Sequence, residues 1–333
     1  MAQTRRLDVV GFGALNLDVM YRVESVEDAG LEPGSEVVGA PDGHRALEHR
    51  LARGGPPAAV SAGGSAGNTV FALARMGYRT GFVGAVGEEP ESALLLEGLG
   101  AREDLRVARR GTSGRAVMAV DADGERSTAV FPNANDTLSE GDVDHALLAG
   151  ARAVHMTSFA GDAPLRAQSE AARRLPEGVL LTFDPGAMYS HRGLVAVAHI
   201  LERADLVLAT EDELLELADE TDRDRAARRV RAAGVGVVAC KLGGRGMHVY
   251  WEGRDQLHRA HPVKVASDAI GAGDVAAAGF IAGMLEGLRP DQCAAVAHGC
   301  AVESLGGGGR ASYPDRRVLW RLVEAQLAAQ GGE

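Results

Sequence analysis

The chain reads as an α/β protein, a doubly wound α/β/α sandwich from which a small antiparallel β-sheet projects. Three observations predict this. From Ala153 onward, short apolar runs alternate with helical stretches, the rhythm of a parallel sheet wrapped by helices. LDVVGFG, from Leu7, opens the chain with a buried strand and a glycine turn of the same kind. Between the two, Gly114 to Phe131 alternates apolar and polar residues around Asp123-Gly124, a hairpin signal that interrupts the rhythm.

In chain order, Leu7 to Val23 is a buried strand, a glycine turn and an alternating strand, with Asp18 just past the first strand, where open α/β sheets present ligand-binding groups. SEVVGA, Ser35 to Ala40, is a short strand. Pro41 to Ala62 is polar and rich in Gly and Pro, a short helix plus a loop. Gly63, Gly64 and Gly67 form a flexible turn with Asn68 at a helix start. That helix stops at Gly77, and Thr80 to Gly87 is a buried strand. Asn68 is either an N-cap or an amide offered to a polyhydroxylated ligand. After the hairpin come strands at Ala153 to Phe159, Val179 to Asp184 and Ala204 to Thr210, then a strand, Gly-rich turn and strand from Val235 to Trp251. The helix from Cys293 is stopped by the glycines from Gly306 to Gly309.

The 333 residues are expected to form one domain, 1–333, with the small projecting sheet drawn from about 17–60 and 112–131. A net charge of -11 argues against a nucleic-acid or anionic membrane surface. Lys241 and Lys264 are the only lysines and neither follows a GxxxxG run, which excludes a Walker A loop. GFGALN has two of the three dinucleotide-fingerprint glycines, with Asn16 in place of the third, so a nicotinamide-dependent dehydrogenase is disfavoured. Cys240, Cys293 and Cys300 form no CxxC pair and read as buried thiols of a cytoplasmic protein. No segment is long and apolar enough to span a bilayer.

Chemistry concentrates in SDAIGAGDVAAAGFIAGML, Ser267 to Leu285. A β-like run, His261 to Ala266, meets a small-residue helix at Gly271, Ala272 and Gly273, followed by Asp274. A helix start leaves N–H groups unpaired and favours an anion. Asp274 there is either a cap or a base beside an anion hole, the pair that phosphoryl transfer to a hydroxyl needs. The helix dipole is expected to keep it ionised.

With GGSAGN (Gly63 to Asn68) and DAIGAGDVAAAGFI (Asp268 to Ile281) at the right separation, the chain resembles the ribokinase-like (pfkB) family of carbohydrate and nucleoside kinases. Gly77, Gly87, Asn16, Asp18, Asp184, Glu213 and LGGRG (Leu242 to Gly246) follow in family order, so the resemblance covers nearly the whole chain. It implies an ATP-dependent transfer to a hydroxymethyl group of a small sugar, with Asp274 as base and Gly271, Ala272 and Gly273 as the anion hole. It puts Asn16, Asp18, Gly63, Gly64 and Asn68 on the acceptor, and Lys241, Gly243, Gly246 and His298 on the nucleotide. Glu213 would organise Mg2+ through water, and Asp268 a monovalent cation, K+. The implied lid closes over the sugar and in some members pairs two subunits, so a homodimer through the lid is a further expectation.

This sequence departs from the family pattern in the length of Pro41 to Ala62, longer than the usual link between the lid strand and the glycines, and at three residues. Ala269 follows Asp268 where Thr, Pro or another small polar residue is usual, Thr210 replaces the Asn of NxxE, and His298 stands where many members carry Asn. A nucleoside kinase of the same family is the alternative, with Phe12, Met20, Tyr21, Met118 and Phe131 as candidate walls for a base. A non-catalytic ligand-binding protein on the same fold is a third reading, opposed by the intact GAGD.

Overall fold

The computed structural model describes residues 7–27, 30–260, 271–307 and 309–330. Fourteen strands form two sheets among them: β1 Leu7–Phe12, β2 Asn16–Arg22, β3 Glu36–Val38, β4 Ala59–Gly63, β5 Thr80–Val86, β6 Leu105–Arg109, β7 Gly114–Val120, β8 Arg126–Phe131, β9 Ala151–Thr157, β10 Leu180–Asp184, β11 Leu206–Thr210, β12 Val237–Lys241, β13 Gly246–Trp251 and β14 Arg254–Arg259. The helices of eight residues or more are α1 His44–Leu51, α2 Ser65–Arg75, α3 Asp162–Arg174, α4 Glu211–Ala218, α5 Arg223–Ala232, α6 Ala272–Leu285, α7 Pro290–Ser304 and α8 Arg316–Gln330.

The main sheet runs β6-β5-β1-β9-β10-β11-β12-β13-β14, parallel through β12 and antiparallel over the last two strands. Its central strands read as unbroken apolar runs because helices cover both faces: every residue of β5 is buried. One face packs Leu165 and Ala171 of α3, Leu214 of α4 and Ala226 of α5. The other packs Leu73 of α2, Val275 and Phe280 of α6, Cys293 and Cys300 of α7 and Val323 of α8. Small residues let α6 and α7 touch: a Cβ on Gly283 would sit 2.9 Å from the Cys293 Sγ. The three cysteines are free and buried.

The second sheet, β3-β8-β7-β2-β4, is the expected lid. Its two antiparallel pairs, β2 with β4 and β7 with β8, are joined by parallel seams, β2 to β7 and β3 to β8. The β2–β7 seam forms because both strands leave the same end of the main sheet, after β1 and β6. The lid has its own core of Val19, Tyr21, Leu47, Leu51, Val117, Ala119, Ala129 and Phe131, with α1 as backing. Each of its large side chains contributes about 1.5–3 kcal/mol on leaving water.

Several elements differ from expectation. Ala59–Gly63, within the stretch read as a short helix plus a loop, is strand β4, formed by its pairing with β2. Leu105–Arg109, unassigned by the sequence, is the edge strand β6. The expected strand from His261 to Ala266 lies outside the described residues. Among those described, no helix is long and apolar enough to cross a membrane.

Candidate active site

β1 lies between β5 and β9, so the crevice opens where the sheet's winding reverses, beneath the lid. The cleft there holds about 370 Å³ and is lined by residues that include Asn16, Asp18, Gly64, Asn68, Lys241 and Asp274. Four widely separated motifs therefore share one space.

Asp274 sits in the first turn of α6 and does not cap it. The N-cap is Gly271, at φ 80°. Only glycine fits there, because a Cβ would also collide with the Tyr313 hydroxyl. With the cap filled by backbone, the carboxylate turns to α2. Ser65 Oγ donates to Oδ1 at 2.8 Å and Asn68 Nδ2 to Oδ2 at 2.8 Å. Thr69 Oγ1 donates to the Asp274 carbonyl at 3.2 Å. Burial pushes the Asp274 carboxyl up to about 6, against the pull of Asn68, Ser65 and Lys241. The group is still ionised at neutral pH, and its proton affinity is that of a working base.

Asn68 is likewise not a cap. The cap of α2 is Gly64, whose carbonyl accepts from the Asn68 N–H at 2.9 Å, and the Asn68 side chain is free to face the cleft. Gly63 opposes Asn16 across the β2–β4 ladder, and a Cβ on Gly63 would overlap the Asp18 carboxylate. Gly63 thus makes room for Asp18. Asn16 is held by Asn135, which donates to its Oδ1 at 2.9 Å and also bonds both backbone groups of Leu15. Burial raises Asp18 to about 7; Arg310 and Arg126 pull it down while Asp274 pushes it up.

On the other flank, Lys241 at the end of β12 donates to Asp184 Oδ2 at 2.7 Å. Its ammonium lies 4.0 Å from where a Cβ on Gly273 would be, at the mouth of the α6 turn. Burial alone would pull Lys241 down, but Asp184, Glu213 and Asp274 hold it above its ordinary value, so its charge is permanent. Glu213 lines the same cleft. Thr210, where the family has Asn, is the N-cap of α4: its hydroxyl accepts from the Glu213 N–H at 3.3 Å, and Glu213 Oε2 accepts from the Thr210 N–H at 2.7 Å. This capping box explains how the helix start survives without Asn.

Not every expected residue converges. Gly243 and Gly246 form the turn between β12 and β13 and do not line the cleft. Gly246 is required sterically, since a Cβ would overlap the His258 carbonyl. His298, on α7, has its ring 5.4 Å from that of His258. Asp268 lies outside the described residues. Conversely, sequence reasoning missed Ser65 and Arg310. Ser65 lies inside GGSAGN, and an O–H donor beside an acidic partner was the available signal. Arg310 directly follows the glycine run, which had been read only as a helix stop. Its Nε donates to Asn68 Oδ1 at 3.1 Å.

Beside the cleft, a cavity of about 600 Å³ shares Asp18, Asn68 and Met118 with it. Met20, Val60, Phe71 and Leu94 give that cavity apolar walls.

Comparison with known proteins agrees with this arrangement. The pattern of the pfkB family carbohydrate kinases matches residues 42–316. An uncharacterized sugar kinase of Archaeoglobus fulgidus is 32% identical over 255 residues, covering 76% of this chain and 99% of its own. An ATP-dependent ribose-1-phosphate kinase of Halopiger xanaduensis is 28% identical over 92% of this chain and 94% of its own. The crystal structure of adenosine kinase from Sinorhizobium meliloti superimposes with a TM-score of 0.79 at 25% identity, over 97% of this chain and 99% of that one.

Proposed function

Because this chain belongs to the pfkB family of carbohydrate kinases, phosphotransferases with an alcohol group as acceptor, we propose that it moves the γ-phosphoryl group of ATP to a hydroxymethyl group of a small sugar. The observation that carries this reading is the Asp274 carboxylate held by Ser65 and Asn68 at the open N-terminus of α6.

The chemistry follows from that corner. The acceptor's ring hydroxyls meet Asp18, Asn16 and Asn68, which brings its reactive hydroxyl to Asp274. As the hydroxyl oxygen bonds to the γ-phosphorus, its proton passes to Asp274, and the bond to the β–γ bridging oxygen breaks, leaving ADP. Charge on the transferring group is met by the unpaired N–H groups of Gly271, Ala272 and Gly273 and by Lys241, fixed donors that need no reorganisation. The donor set suits a hydrated Mg2+: Glu213 keeps one oxygen beyond its capping bond, and Asp184 is bound to Lys241 and the Gly186 N–H, so both would hold the ion through its waters. When bound, Mg2+ would neutralise the phosphates.

A nucleoside acceptor is the second reading, favoured by the apolar cavity beside Asp18. The test is ADP release with Mg2+ and ATP across sugars, phosphorylated sugars and nucleosides, with and without K+. Turnover with none of them removes the proposal; turnover with nucleosides alone selects the second reading. Pairing of two copies through the lid is supported by Val38 and Val60, each 50% exposed on the two edge strands. Light scattering of wild type against Val38→Lys/Val60→Lys tests that pairing.

A further inference from the structure

Arg310 reaches the base through one intermediary. Its Nε donates to Asn68 Oδ1 at 3.1 Å, while Asn68 Nδ2 donates to Asp274 Oδ2 at 2.8 Å. The guanidinium is pinned: it lies over the Phe71 ring at 4.9 Å, and its Nη2 is buried against α2 with no hydrogen-bond partner among the described residues. The turn that carries it is tied to two helices just after Arg310. Ser312 Oγ donates to the Ser304 carbonyl of α7 at 2.9 Å, and Arg75 Nε of α2 donates to the Tyr313 carbonyl at 3.0 Å.

An amide has one accepting end and one donating end, and arginine has only donors. With Arg310 on Oδ1, Asn68 must turn its NH2 toward Asp274. That orientation serves the carboxylate. A protonated Asp274 would be served by the opposite one, in which its new O–H donates to Oδ1 after an amide flip.

We propose that Arg310 is a positioning residue for the base: by occupying Oδ1 of Asn68 it blocks that flip, so the amide stabilises only ionised Asp274 and the proton taken from the acceptor is readily given up. The inference rests on the kinase reading, with Asp274 as base. Among the described residues, Ser65 Oγ also donates to Asp274 and lowers its proton affinity, but a hydroxyl can rotate to serve either protonation state and so selects neither. Asp184 on β10 and Asp18 on β2 favour its proton, Lys241 on β12 opposes it at a distance, and Tyr313 beside Gly271 is neutral at working pH, its hydroxyl raised by burial and by Asp274.

The test is the pH profile of kcat at saturating acceptor, with Asp274 titration followed separately by infrared difference against Asp274→Asn. In Arg310→Met the acidic limb and the infrared midpoint should both move up by about one pH unit, with kcat within threefold of wild type on the alkaline plateau. Arg310→Lys, which still donates to Oδ1, should restore most of the shift. In an Asn68→Ala background, Arg310→Met should add only the smaller shift that comes from losing its charge near Asp274. Equal loss at every pH, or a raised acceptor KM with an unmoved limb, overturns the proposal. If Arg310→Met does not fold, Asn68→Ala decides alone, and an unmoved infrared midpoint there overturns it. An infrared shift in a protein that phosphorylates no acceptor would fault the kinase reading and leave the lock standing.

Discussion

The two flanks of the cleft are built on different chemistry. The acceptor flank presents Asp18 and Asp274, both raised toward neutrality by burial, and steadies them with Asn68, Ser65 and Arg310. The donor flank presents backbone N–H groups and a lysine whose charge Asp184 makes permanent. On the proposed reading one flank exchanges a proton and the other does not, and the contrast places pH sensitivity on the side that carries Asp18 and Asp274.

Asp274→Asn breaks the acceptor flank most completely. We expect kcat to fall by about 10³-fold or more, with ATP affinity retained in calorimetry. Near-normal turnover would remove Asp274 from the mechanism. On the donor flank, Lys241→Met should lower kcat by about 10²-fold and destabilise the fold by about 3–5 kcal/mol, because Asp184 is left buried and unpaired. Adding Asp184→Leu should restore the melting temperature and not the rate; recovery of both would make the pair purely structural. Asp18→Ala should raise the acceptor KM by about tenfold or more and leave the ATP KM within twofold. Equal effects on both would erase the division between flanks.

For pH, a base near 6 predicts that kcat at pH 5 is about tenfold below its plateau. The kcat/KM profile should show a second ionisation near 7 from Asp18. The smallest effect concerns stability. Asp18 has a folded value of about 7 above its ordinary 3.8, so its ionised form burdens the fold above pH 7 and the burden is gone below about pH 4. Asp18→Asn should therefore melt a few degrees higher at pH 8 and equally at pH 4 in calorimetry.

Much of this was legible in the sequence, for physical reasons. The βα rhythm, the hairpin at Asp123-Gly124 and the glycine corner before Asp274 are local signals, and the strands and helix turns formed where those signals stood. Partnerships across the chain were hidden. Arg310 meets Asn68 across 242 positions. β4 exists only because β2 offers it an edge. The rise of Asp18 and Asp274 comes from tertiary burial, which overrides the helix-dipole argument applied to Asp274 alone.

Asp18 rides on β2, a strand of the lid, whereas Asp274 rides on the sandwich. Any swing of the cover changes the gap between two like charges, and with it the affinity of each for a hydrogen ion. On the proposed reading, closing over the acceptor is thus coupled to the proton affinity of both carboxylates through residues 13–15, which join β1 to β2.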